Sequence, residues 1–272
     1  VIGRNPAAIA RPPRVDTAEI VPLTVEQARA VLQVCPTVTN GVRYALALAL
    51  GLRQGEALGL SWSDLELDPV LGPATLSVRR GLQRQIWQHG CPPDDDCRHH
   101  RAGGCRQRHD GGLVLVEPKS PASRRTVILP APLVAALRSH RLAQRAGRLA
   151  SGLSWSDGDL VFTTTTGRPI DPRADLTGWK DLLVLAGVPP VRLHDARHTA
   201  ATLLLAQGTD QRTVMAILGW SHSNMAEHYQ HVLAELRAVA AENLGLLLWP
   251  ASAIETRTET RKRAGSRPPT AG

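Results

Sequence analysis

The run His194-Asp195-Ala196-Arg197-His198-Thr199 opens a series of short helical segments that passes through Leu218-Gly219-Trp220-Ser221-His222 and reaches Tyr229. His194 and Arg197 are three apart, so on a helix they project from one face. A guanidinium grips two phosphate oxygens in a fork, and an imidazole beside it adds a hydrogen bond or a proton. Taken alone, an HxxR spacing is common by chance, and a solvated helix face is the plainer account of it. The segments break at Gln207-Gly208 and at Gly219, and the last is expected to run through Tyr229 into Leu248.

Upstream, Gly51-Leu52-Arg53-Gln54-Gly55-Glu56 places an arginine in a glycine-flanked turn between two apolar helices, expected at about 40–50 and 55–60. Glycines permit the tight turn, and Glu56 is placed to orient the Arg53 guanidinium. A structural Arg–Glu pair is the blander reading. Further along, Pro118-Lys119-Ser120 through Val127 lies between two strand-like runs, 113–116 and 126–129, and reads as a β-hairpin turn carrying a basic side chain. Most lysines on such a loop are merely solvated.

The remaining pattern is mostly helical. Thr24 with Gln27 three residues on is a capping box ahead of Val25, Ala28, Val31 and Leu32 at helical spacing. A strand is expected at 75–78, a helix from Pro130 to about Leu149, and a short strand at 160–163. Asp171-Pro172 reads as an N-cap with proline in the first turn of a helix ending near Ala186. The fold class is therefore mainly α with a small antiparallel β-sheet.

Composition agrees with a packed domain and narrows its partners. The 272 residues are 43% hydrophobic but only 3% aromatic, so the core rests on Leu, Val and Ala. Lys and Arg number 32 against 24 Asp and Glu, a balance of +8 that favours an anionic partner. Five cations against two acids in 251–272 supply +3 of this. No run approaches the roughly 18 apolar residues of a membrane span, and no signal-peptide core is visible, so a cytoplasmic protein is expected. Residues 1–16 read as a linker, 17–250 as the folded unit, and 251–272 as a disordered tail.

Order turns these weak motifs into a strong one. GLRxGE, a lysine between strands, HxxRHT, then LGWS with a tyrosine nine residues after the Trp resemble the catalytic domain of the tyrosine recombinases, the phage integrase family, from about Leu23 to Val232. The resemblance implies that Arg53 and Arg197 clamp the scissile phosphate and that Lys119 protonates the leaving 5′ oxygen. It further implies that His194 assists, that Trp220 donates its indole N–H where most members carry His, and that Tyr229 is the nucleophile forming a 3′-phosphotyrosine. It also implies double-stranded DNA as substrate, a homotetramer on paired sites, an accessory DNA-bending protein, and an N-terminal clamp domain preceding the 1–16 linker. The apolar stretch 233–249 is a candidate for contact between neighbouring subunits. An indole donates but cannot shuttle a proton, so His222 and His228 are noted as possible substitutes beside Trp220.

The chemistry is consistent with those roles. A phenol with a pKa of about 10 is a poor nucleophile at neutral pH, and cationic neighbours favour its anionic form. Two guanidiniums offset the phosphodiester charge, so no cofactor is expected for catalysis. Of the two tyrosines, Tyr44 sits in an Ala/Leu helix and is assigned to the core. Two other classes remain in view: a non-catalytic, zinc-containing DNA-binding regulator derived from a recombinase, and a phosphodiesterase using His and Lys as acid and base. The second leaves Tyr229 without a task.

One segment, about 81–112, stands outside this pattern. It holds Cys91, Cys97 and Cys105 and four of the ten histidines, with few apolar residues to fold by burial. Cys91, Cys97, Cys105 and His109 are the candidate ligands of a structural zinc, although the first gap exceeds the usual spacing. A flexible reduced loop is the alternative. Four Arg and four Asp between Gly90 and Asp110 cancel, which argues against a simple DNA-gripping finger. Cys35 lies apart on the first helix and is expected to be buried.

Overall fold

The computed structural model describes residues 21–91, 97, 99–118, 121–221 and 244. The expected linker 1–16, the tail 251–272, and, apart from Leu244, the helix expected beyond Ser221 through Tyr229 and the stretch 233–249 lie outside the described residues.

Helix α1 (Val25–Val34) begins at the expected box: the Thr24 hydroxyl accepts from the Gln27 amide, and the Gln27 side chain accepts from the Thr24 amide. α2 (Val42–Leu50) is apolar on nearly every side and accordingly buried, packing against α6 (Leu193–Ala206) and α4 (Ala131–Ser151). It ends where Gly51 turns left-handed, φ +62°, with the Gly51 N–H donating to Ala47 O at 3.1 Å. The short α3 (Gln54–Leu58) follows at once. α5 (Pro172–Leu185) starts as expected, the Asp171 carboxylate accepting from the Arg173 amide at 2.9 Å. α7 (Gln211–Leu218) is capped by Asp210.

Charge is also buried within this framework. Arg43 on α2 pairs with Asp175 on α5, their side chains 1% and 2% exposed. Asp175 accepts in addition from Gln54 Nε2 at 2.7 Å, and its carbonyl accepts from the Tyr44 hydroxyl at 2.9 Å. The residue after Arg53 is thereby tied to α5. Tyr44 stacks near Trp179, ring centroids 5.5 Å apart, in the core.

The strands form two small antiparallel sheets. β1 (Leu65–Glu66), β2 (Thr75–Val78) and β5 (Arg125–Ile128) pair in the order β1-β2-β5. β3 (Gly81–Gln85) pairs only with β4 (Gly112–Val116), in the register Leu82↔Leu115. Two expectations are corrected here. The Lys119 segment is not a hairpin turn, because the strands on either side of it belong to different sheets. The Cys/His insert does not begin at residue 81, because 81–85 is a strand of the domain. Its sequence GLQRQ carries no strand signal, and its place is set by tertiary contact. Cβ atoms at Gly55 and Gly59 of the α3 segment would stand 2.8 Å from Leu82 O and 2.7 Å from Leu82 N, so β3 lies flat against that helix. The expected strand at 160–163 reduces to isolated bridges, Ser61↔Leu160 and Thr163↔Pro169.

Among the described residues, no helix is long and apolar enough to cross a membrane.

Candidate functional site

The site gathers around the end of α7, and the sequence Leu-Gly-Trp explains its shape. Gly219 adopts φ +67°, its N–H donating to Ala216 O at 3.3 Å, while the Trp220 N–H reaches back to Met215 O at 3.0 Å. This pair of bonds is the Schellman arrangement, which needs a residue tolerant of the left-handed region and an apolar residue after it. Trp220 fills the second place, 6% exposed, packed in a small cluster with Leu205, Val214 and Leu218 and flanked by Met215.

Three consecutive carbonyls at this helix end each accept from a different arginine. Arg125 Nε donates to Ile217 O at 2.6 Å, Arg197 Nη2 to Leu218 O, and Arg53 Nη2 to Gly219 O at 3.4 Å. Arg197 also donates to Gly51 O at 2.6 Å, so it joins the C-terminal ends of α2 and α7. Cations are favoured there because the helix dipole is negative at its C-terminus. The guanidinium of Arg197 lies 5.7 Å from the Trp220 ring centre.

One carboxylate stands among these cations. Glu56 Oε1 accepts from Arg53 Nη1 at 2.7 Å and from Arg125 Nη1 at 3.2 Å, and Oε2 accepts from Arg125 Nη2 and from the Arg53 amide, both at 2.9 Å. Glu56 thus orients Arg53 and caps α3 with the same group. Burial acts to raise its pKa, but the bond and charge of Arg125, followed by Arg53, hold it below the ordinary carboxylate value. Three guanidiniums against one carboxylate leave positive charge in excess, with the Arg53 side chain 38% exposed while Arg125 and Glu56 are 6% and 8%.

On α6, His194 opens at the rim of the site, its ring edge-on to His198 at 5.2 Å. Burial and then the Arg197 charge hold His194 below the ordinary imidazole value, with Arg53 and Arg192 adding to this and Asp195 opposing it. The remaining residues of that motif are structural. Asp195 caps α6 and pairs with Arg192, and the Thr199 hydroxyl accepts from the Leu23 amide at 3.0 Å.

Arg53, His194, Arg197 and Trp220 therefore come together from α3, α6 and the end of α7. Lys119 and Tyr229, like His222 and His228, lie outside the described residues. Sequence reasoning missed Arg125, which lies within the segment from Pro118 to Val127 without standing out from it. Strand parity carried the signal: Arg125 is two residues from buried Val127 and so faces inward with it.

The Cys/His insert closes the far end of the β3–β4 ribbon. Its side chains gather as His89, Cys91, Cys97 and Cys105, with all four ligand atoms within 4.8 Å of one another. This corrects the fourth candidate. His109 Nδ1 meets the Asp110 carboxylate at 2.8 Å and its Nε2 meets His89 O at 3.2 Å, so both ring nitrogens face acceptors. The bond to Asp110 raises the His109 pKa, and His89 takes the place expected for it. Cys35 is buried at the end of α1, and burial pushes its thiol up to about 12.

Comparison with known proteins agrees with this architecture. Residues 109–235 match the model of the phage integrase family. An integrase of Saccharopolyspora erythraea is 43% identical over 91% of this chain and 62% of its own length. A XerC-like tyrosine recombinase of Caldanaerobacter subterraneus subsp. tengcongensis is 34% identical over 74% of this chain and 48% of its own. The chain thus spans about half to three-fifths of these relatives. Among solved structures, the Tn1549 transposon integrase in complex with transposon right end DNA superposes with a TM-score of 0.58 at 19% identity, over 83% of this chain and 68% of that one. XerA recombinase gives 0.55 at 21% identity, over 85% and 66%. At such identities the likeness concerns the fold.

Proposed function

Because the chain belongs to the phage integrase family of tyrosine recombinases, we propose that it is the catalytic part of a site-specific DNA recombinase that integrates or excises a phage or mobile element. The observation that carries this reading is the convergence of Arg53, Arg125 and Arg197 on Ile217, Leu218 and Gly219, with Glu56 as their shared carboxylate. An excess of fixed guanidinium charge that reaches solvent at Arg53 suits one phosphodiester.

In the proposed reaction the Tyr229 hydroxyl gives up its proton, to His194 or to solvent, as its oxygen attacks the scissile phosphorus. The 3′ side of the DNA becomes joined to the tyrosine oxygen, and the bond to the 5′ oxygen breaks. Lys119 supplies the proton to that leaving oxygen. Arg53 and Arg197 stabilise the charge that develops on the non-bridging oxygens, and Trp220 donates its indole N–H to one of them. His194, held below the ordinary imidazole value by burial and then by the Arg197 charge, takes part by hydrogen bond or proton transfer. Religation reverses these steps with a 5′ hydroxyl from the partner strand, so the phosphotyrosine conserves the bond and no nucleotide cofactor is consumed. Charge neutralisation by guanidinium takes the place of a divalent ion. The functional unit is a homotetramer on paired DNA sites, assisted by a DNA-bending protein, acting in the cytoplasm where the DNA lies.

The test uses a DNA site recovered by selection from random sequence, nicked so that the cleaved intermediate is trapped. A covalent protein–DNA adduct is expected, lost in Tyr229→Phe and retained in Tyr44→Phe. A bound site that yields no adduct under any condition of salt and pH overturns the reading in favour of a non-catalytic DNA-binding regulator.

A further inference from the structure

The β3–β4 ribbon ends in four side chains that the recombination chemistry does not use. His89 Nδ1 lies 3.7 Å from both Cys91 Sγ and Cys97 Sγ, and Cys105 Sγ lies 3.9 Å from Cys91 Sγ. Zinc bonds of about 2.3 Å to sulfur and about 2.0–2.1 Å to imidazole nitrogen, arranged tetrahedrally, imply edges of about 3.8 Å between sulfurs and about 3.6 Å between sulfur and nitrogen. These three spacings match edges of that tetrahedron, and all four ligand atoms lie within 4.8 Å of one another. They do not match a disulfide, whose sulfurs stand about 2.05 Å apart.

The backbone is built to hold this spacing. Gln88 and His109 exchange both main-chain hydrogen bonds, at 2.9 and 3.1 Å, and so clamp the two arms of the insert immediately before His89. A tight turn at Ala102–Gly104 then delivers the Cys105 sulfur to the other three side chains. The turn is itself held by Arg108, which donates to Gly103 O and lies 4.7 Å over the Trp87 ring. The apolar content of the insert is too small to order it by burial, as the exposure of most of residues 97–111 makes plain.

We infer that His89, Cys91, Cys97 and Cys105 bind one structural zinc ion that closes the far end of the β3–β4 ribbon. All four positions of the metal are filled by protein, so the site is structural and leaves no place for a reacting water or phosphate. Zinc binding displaces protons from the three thiols to solvent and leaves the imidazole neutral, with Nδ1 on the metal.

The test is metal quantification on the full chain purified without chelator, followed by cobalt(II) replacement. The expected result is one zinc per chain, and a cobalt form with the intense visible bands of a tetrahedral thiolate complex. His89→Ala, Cys97→Ser and Cys105→Ser should each lose most of the metal, while His109→Ala retains it. Limited proteolysis supplies a readout independent of recombination and of whether the variants fold. In the parent protein, chelation should open cleavage between Gly90 and Cys105 and leave the helical circular dichroism largely unchanged. Sub-stoichiometric zinc in the parent after reconstitution overturns the inference. So does loss of metal in His109→Ala with retention in His89→Ala, or a Cys91–Cys105 disulfide in protein prepared under reducing conditions.

Discussion

Replacing Glu56 by Gln tests whether one carboxylate holds the arginine cluster together. The substitution keeps the shape of the side chain but removes its charge. Arg125, 6% exposed, then remains a buried cation without its counter-ion. Breaking a buried pair from one side costs about 3–5 kcal/mol. The Arg53 bond adds little to this figure, because Arg53 is 38% exposed and water screens it. With a urea slope of about 2–3 kcal/mol per molar, the midpoint should fall by about 1–2.5 M. The pH dependence has a definite sign. The Glu56 pKa is held below its ordinary value, so the stabilisation is whole above that value and drains as pH falls through the folded one. The parent and the variant should therefore differ by a constant amount between pH 6 and 8 and converge in acid. Adding Arg125→Met to Glu56→Gln should restore part of the loss, since the unpaired cation is then gone. A midpoint that moves by less than about 0.2 M, with no pH dependence of the difference, would refute the reasoning.

Three further outcomes are expected. Gly219→Ala places a Cβ 2.8 Å from Arg125 Nη1 and 3.0 Å from Ala122 O at φ +67°, so thermal unfolding should show a loss of at least about 1–2 kcal/mol. Arg53→Ala should leave stability within about 1 kcal/mol of the parent, because the lost pair is solvent-screened, yet sharply reduce adduct formation on a nicked site. His194 should titrate by NMR below the ordinary imidazole value of about 6.5 and rise in Arg53→Ala; a midpoint above that value in the parent contradicts the cationic setting. The same depression makes the His194 contribution to stability whole above the ordinary value and lost as pH falls from there through the folded one, since the unfolded chain binds the proton more readily in that window.

The parts legible in the sequence are those decided by local chemistry. Thr24 with Gln27, Asp171 with Pro172, and Leu218-Gly219-Trp220 each contain their own hydrogen-bonding instructions within a few residues. Arg53, His194, Arg197 and Trp220 were found through motif order, and the fold brings them to one place. What stayed hidden depends on distant partners. β3 is polar and has no strand pattern of its own, so its pairing with β4 across a long insert is decided by α3 beneath it. The hairpin expected around Lys119 failed for that reason, since each flanking strand had a stronger partner elsewhere. Spacing alone favoured His109 as the fourth candidate, whereas the pairing of Gln88 with His109 leaves the His89 imidazole facing the sulfurs.

The close approach of Gly55 and Gly59 to Leu82 has a consequence for how this chain tolerates change. The ribbon is fastened at its near end, beside Arg53, and everything between Gln85 and Gly112 hangs from the other end. Lengthening a surface loop costs free energy only logarithmically, so that outer segment can be shortened, replaced or grafted without redrawing the arginine cluster. A side chain at Gly55 or Gly59 has no such latitude. It would lift the ribbon from the helix and carry the error into the turn that presents Arg53. The tolerant and intolerant positions thus lie at opposite ends of one ribbon, the outer segment free to vary and the glycines of the α3 segment under its near end not.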